Sequence, residues 1–215
     1  TVSNSGTIIW GGNGDIIMGN GSTLNNLATG VFEAQAEGGM FVPGGGGSAE
    51  FNNAGLLRKT GATISVMNAA QGPTFANTGT VSAESGALRF DVSFTQTAGA
   101  TVLSGGGVLA GPALEFAGGE LRGSGIVTGS IINTGGTVRP GGASSPGSFL
   151  LAANYTQGPG GTLELEVGGA DLGEYDRLLA SGAVTLDGTL LAPLISGFVP
   201  EEGDQFQVMS FGSRS

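Results

Sequence analysis

The chain has no cysteine and no histidine, and Lys59 is its single lysine. The missing thiols exclude a disulfide framework and thiol chemistry. Without His or Cys, zinc sites and Ser-His-Asp catalysis in their usual forms are excluded too. Charged residues make up only 11% of the chain and sum to −10. Nucleic acid is therefore not expected as a partner, because phosphate binding needs clustered Lys and Arg, and an anionic membrane surface is not expected for the same reason. No apolar run approaches the roughly 20 residues that span a bilayer. No basic n-region opens the chain, so any secretion leader is expected upstream of it or already removed.

What the chain has in abundance is glycine, 44 of 215 residues, set among short alternating apolar bursts. One unit organises them. It is clearest as Phe75-Ala76-Asn77-Thr78-Gly79-Thr80-Val81 and recurs as Val2-Ser3-Asn4-Ser5-Gly6-Thr7-Ile8 and Phe51-Asn52-Asn53-Ala54-Gly55-Leu56-Leu57. Ile131-Ile132-Asn133-Thr134-Gly135-Gly136-Thr137-Val138 carries one inserted residue, and Asn26-Leu27-Ala28-Thr29-Gly30-Val31 is looser. Gln replaces Asn in Phe94-Thr95-Gln96 and Tyr155-Thr156-Gln157. Each copy joins an Asn-x-Gly turn signal to the start of an alternating strand. The copies recur at intervals of about 20 residues, which suits a coil of two or three short strands and is too short for a propeller blade. The expected fold is all-β, a single parallel β-helix (β-solenoid) of about nine rungs with almost no helix.

Along the chain, Thr7-Ile8-Ile9-Trp10 and Asp15-Ile16-Ile17-Met18 read as strands around Gly11-Gly12-Asn13-Gly14, and Pro43 with Gly44 to Gly47 reads as a loop off the stack. In Ala87-Leu88-Arg89-Phe90-Asp91-Val92, period two points Leu88, Phe90 and Val92 one way and Arg89 and Asp91 outward. Residues 1–130 read as repeat rungs and 131–215 as C-terminal rungs of the same domain, where strands lengthen and Pro200-Glu201-Glu202-Gly203-Asp204 forms a charged turn.

The C-terminal order runs GGTVRPGG, SPGSF, NYTQGPGGTLELEVGG, then EYDRLLASGAVTLDGTLLAPLISGFVPEEGDQFQVMSFGS. It resembles the C-terminal region of autotransporter-type passengers and related large repetitive bacterial surface proteins, closely over about residues 135–212 and loosely upstream. The resemblance implies a right-handed parallel β-helix on a secreted or surface-displayed protein. It brings no catalytic residues with it.

Four groups of residues invite a chemical reading. Gly11 to Ile16 nearly matches a calcium-binding nonapeptide with Asp15 as ligand, but is one residue short and has no tandem copy, so a plain turn is expected. Gly105-Gly106-Gly107 followed by Gly111 looks like a phosphate loop, yet precedes no helix that could hold an anion. Glu164 and Glu166 sit two apart on one strand, roughly 7 Å, a spacing compatible with an inverting glycosidase. With Leu163, Leu165 and Val167 filling the other face, both glutamates are expected on a solvated surface. Asn4, Asn53, Asn77 and Asn133 form a row, read as an internal ladder of turn amides rather than a binding row. Tyr175, Phe198 and Trp10 are expected in the core or at an end cap. No catalytic residue, metal or cofactor is expected.

The function that follows is structural: an adhesin shaft or self-associating filament subunit, secreted or on the bacterial cell surface. Its expected partners are other β-rungs, joined head-to-tail through the end rungs or by continuation of a longer chain. The alternative is a polysaccharide-binding or polysaccharide-cleaving β-helix protein with surface glycans as partners.

Overall fold

The computed structural model describes residues 1–19, 21–43, 48–67, 72–91 and 94–214. Among them every regular element is a strand, and the strands build three parallel sheets of ten, nine and nine. One coil shows the path: Thr74–Asn77 lies in sheet 1, Thr80–Ala83 in sheet 2 and Ala87–Phe90 in sheet 3. The chain then returns to sheet 1 as Phe94–Gln96, paired with the strand it left. This is the expected β-solenoid, and nine strands in each of sheets 2 and 3 match the expected number of rungs. At about 4.8 Å per strand the stack is roughly 40 Å long.

The repeat unit is one side of this coil. Phe75 and Asn77 point inward from sheet 1, the chain turns at Thr78-Gly79, and Val81 points inward from sheet 2. Register then stacks like on like: Phe51, Phe75 and Phe94 pair in turn, as do Leu57 and Val81. The rings form a continuous column from Trp10 through Phe32, Phe51, Phe75 and Phe94 to Phe116, with centroids 5.1 to 6.5 Å apart. Edge-on and offset contacts of this kind add to the burial of each ring. Leu88 and Phe90 are buried and Arg89 is exposed and ion-paired with Asp91, as alternation requires, while Val92 and the glycines 44–47 lie outside the described residues.

One interior position breaks the rule. Lys59 is wholly buried in sheet 2, between Ala34 and Ala83 of the adjacent rungs, whose small side chains leave room for its stem. Its Nζ donates to the carbonyls of Thr60, 2.6 Å, and Gly61, 3.1 Å, and no carboxylate pairs with it among the described residues. Burial lowers its pKa from the ordinary lysine value. The unfolded chain then binds more protons than the fold between that lowered value and 10.5, so stability rises with pH in this window. Lys59→Met keeps the stem and removes the charge. Its stability at neutral pH is expected to be unchanged or raised by about 1 kcal/mol, with the alkaline rise gone. Chemical denaturation from pH 7 to 10.5 checks both; a large loss at pH 7 would show that the two carbonyl bonds outweigh the desolvation.

Candidate functional site

The polar motifs singled out in the sequence fall in different parts of the solenoid, and most serve its backbone. Asp15 is exposed and accepts from the Gly39 amide of the next rung, 2.8 Å, which makes it a turn-to-rung tie. Gly105 and Gly106 occupy a turn between sheets 2 and 3 with φ of 57° and 85°. Trp10 is buried against Phe32 and donates from Nε1 to the Gly14 carbonyl. Tyr175 and Phe198 both pack edge-on against Phe206, in loops beside the last turns.

The asparagine row is internal. Asn4 donates to Asn26, Asn26 to Asn53, Asn53 to Asn77 and Asn77 to Gln96, at 2.7 to 3.0 Å, each amide lying in the next rung. Phe116 takes the following place and ends the run, so Asn133 stands apart and bonds backbone at Gly136 and Thr162.

Three ion pairs of partly buried side chains lie on the outer face of sheet 2. Glu33 pairs with Arg58 at 2.7 Å, Glu120 with Arg122 at 3.4 Å, and Arg139 with Glu164 at 2.9 Å. Hydrogen bonds from Gln35, Arg58 and Thr60 hold the Glu33 carboxyl down at about 2. The outer face of sheet 3 is different. There Val108, Ile126, Leu150 and Leu179 follow one another in register, and the last three, with Ser210, line a shallow apolar depression at its last strands.

The two glutamates of the Leu163–Val167 stretch do not share one solvated face, which corrects the reading from alternation. The strand Thr162–Glu164 ends at Glu164, and Leu165, Glu166 and Val167 are all buried. Period two fails because this segment is enclosed on both sides. Leu165 and Val167 donate backbone bonds to Leu191 and Pro193 of the following turn, and the 141–147 loop of the preceding turn closes over Glu166. Glu164 stays outside with Arg139. Glu166, 5% exposed, accepts from the Ser144 and Ser145 amides at 3.1 and 3.3 Å.

Beside it lies Asp176, wholly buried, which the sequence reading did not single out. Its Oδ1 accepts from Gly147 N at 2.8 Å and its Oδ2 from Glu166 N at 2.9 Å, while its own amide donates to the Glu166 carbonyl. Burial pushes its carboxyl up to about 6, against those backbone bonds; the Glu166 charge adds to the rise and Arg139 opposes it. The signal for this site was the pairing of the Pro-Gly-rich turn after Arg139 with Tyr175-Asp176 in the next rung. Two carboxylates, one of them held up near 6, are the currency of acid-base catalysis. Here both are shielded from water and committed to backbone amides, so the arrangement grips a loop.

Comparison of the chain with protein families, curated proteins and solved structures finds no match.

Proposed function

We propose that this chain is a structural β-solenoid module of an extracellular or surface-displayed bacterial protein, acting without catalysis as an adhesin shaft or a self-associating filament subunit. The fold supports a shaft, since stacked rungs set length independently of any site. The resemblance of residues 135–212 to passenger C-terminal regions supports the location. The observation that carries self-association is at the last face of sheet 2. Leu190 continues the interior row of Val138 and Leu163, which are fully buried, yet it is 56% exposed. That face presents a core-type side chain above an open strand edge, the surface on which a further β-rung adds.

A head-to-tail contact that does not close into a ring propagates as a filament. Net charge of −10 opposes it, so association is expected to strengthen with salt. Electron microscopy and sedimentation of the purified chain at two salt concentrations test the idea. End-to-end assemblies that grow with salt and are lost in Leu190→Asp are expected. Monomers at high concentration in both salts would sink the filament role.

A further inference from the structure

The three outer faces of the solenoid differ in chemistry. Sheet 2 carries its three ion pairs, and the outer row of sheet 1 runs Ser3, Asn25, Asn52, Ala76 and Thr95. On sheet 3 the outer row runs Ile64, Ala87, Val108, Ile126, Leu150 and Leu179, one residue from each of six successive strands. At about 4.8 Å per strand it is an apolar ribbon roughly 24 Å long. Its profile is stepped. Ile64, Ile126 and Leu150 protrude, 48%, 42% and 50% exposed, whereas Val108 and Leu179 are half-buried and Ala87 is short. Opposite charges stand at its two ends. Glu37 is exposed and, one residue before Gly38 on Ser65, continues the ribbon beyond Ile64. Arg177 opens the strand that carries Leu179, and its Nε is buried without a hydrogen bond. Among the described residues neither has an ion-pair partner, and six strand spacings, roughly 29 Å, separate them within the chain.

We propose that this face of sheet 3 is a docking surface for a second copy of the chain, laid face to face with its solenoid axis reversed.

The pattern is complementary to itself, and that singles out a second copy as the occupant. Reversal about the midpoint between Val108 and Ile126 sets the third strand of sheet 3 opposite the eighth of the other copy, the fourth opposite the seventh and the fifth opposite the sixth. Ile64 then enters the depression at Leu179, Leu150 meets Ala87 and Ile126 meets Val108. Each protruding side chain finds a recessed or short one, and by symmetry every contact occurs twice. With the axes parallel each strand would face its own twin, so Leu150 would abut Leu150 and Ala87 would leave a gap over Ala87. The same reversal brings Glu37 over Ser210 of the other copy, which follows Leu179 in register. Arg177 of that copy lies one strand and two residues away, an offset of roughly 8 Å within the combined reach of the two side chains. Arg89, already held by Asp91, comes opposite Ala152, so like charges do not meet there. Eight strands by four residues cover about 500 Å² per copy and about 1,000 Å² in all. That is the lower bound for a specific interface, and a dissociation constant on the order of 10 μM is expected. The contact is independent of the end-to-end one, since it uses a side of the stack and not an end.

Sedimentation of the Leu190→Asp chain, in which the end-to-end contact is removed, reads the lateral contact alone. A dimer that forms with concentration between about 1 and 200 μM is expected. Leu150→Asp, which sets an unpaired charge into the interface twice, weakens it by about a hundredfold. Glu37→Arg and Arg177→Glu each weaken it roughly fivefold, and the chain carrying both recovers the parent affinity. The two positions are too far apart to meet within one chain, so recovery comes only from contact between copies. Orientation is read by crosslinking, because the chain has no cysteine of its own. Mixed Ala87→Cys and Leu150→Cys chains are expected to join through a short bis-maleimide, and Leu150→Cys by itself is not. These two mild variants also decide the matter should Leu150→Asp not fold. Monomers throughout that concentration range, no recovery in the doubly charge-reversed chain, or Leu150→Cys joining to itself as readily as to Ala87→Cys would overturn the proposal.

Discussion

Gly79→Val is expected to cost about 3 kcal/mol or more and to lower the melting temperature by roughly 6–12 °C. The cause is a close approach of backbones. A Cβ at Gly79 would run into the Gly55 carbonyl oxygen and the Ala54 carbonyl of the rung beneath. Neither can retreat, because the Gly55 carbonyl accepts the Thr80 amide at 2.7 Å and so fixes the spacing of the two turns. The φ of Gly79 is not in the left-handed region, so strain from that source is absent and even alanine suffers the collision. Gly6 is the contrast. It holds the same place in the first copy, and a Cβ there meets nothing within 4 Å. Gly6→Ala is expected to fall within about 0.5 kcal/mol of the parent, as surface substitutions do. Thermal denaturation of the two variants side by side decides the matter: equal melting points would mean that the repeat glycine marks a turn and nothing more.

Asn53→Leu is the other large effect, about 4 kcal/mol. The Asn53 amide donates to Asn77 Oδ1 at 2.7 Å, to the Thr80 carbonyl at 3.0 Å and to the Gly55 carbonyl at 3.3 Å, and it accepts from Asn26 at 2.8 Å. Leucine has nearly the same shape and satisfies none of these. A donor below and acceptors above are left buried and unpaired, each costing on the order of 1–3 kcal/mol. Because the amides run in one direction through the stack, the loss also weakens the bonds on either side. Asn4→Leu removes the same side chain from the first rung, where it lacks a neighbour beneath, and about 1–2 kcal/mol is expected. Urea unfolding of both variants checks the order. If Asn4→Leu costs as much as Asn53→Leu, the ladder acts as separate turn bonds and not as a chain.

Phe116 shows how far such a ladder can be read without coordinates. It occupies the amide position of its rung, and Gln96 turns instead to the carbonyls of Gly118 and Glu120. The row Asn4, Asn53, Asn77 and Asn133 was legible from the repeat, and Asn26 and Gln96 from its looser copies. Which of them touch depended on coil length. Successive ladder amides are 22, 27, 24 and 19 residues apart, so no fixed period assigns neighbours.

The sequence by itself determined the architecture. Period-two bursts such as Leu88 and Phe90, an Asn-x-Gly turn in each copy and the scarcity of charge leave a stacked coil as the one economical way to bury those faces. Only the tertiary structure decided the fate of Lys59, Glu166 and Asp176. In a strand, alternation sorts residues because one face meets the core and the other meets water. Glu166 lies where a loop from the rung before covers the outer side as well, so its parity carries no information about burial. Lys59 has the parity of the core and obeys it, against its chemistry, because Ala34 and Ala83 make space and two carbonyls receive its ammonium. Asp176 lies outside any strand, so no periodicity applies to it; its environment comes from a loop nearly 30 residues earlier, bonded across |i−j| of 29. Local sequence dictates which way a strand faces. What stands opposite is set by the rungs before and after, and that is where a carboxyl gains or loses its water.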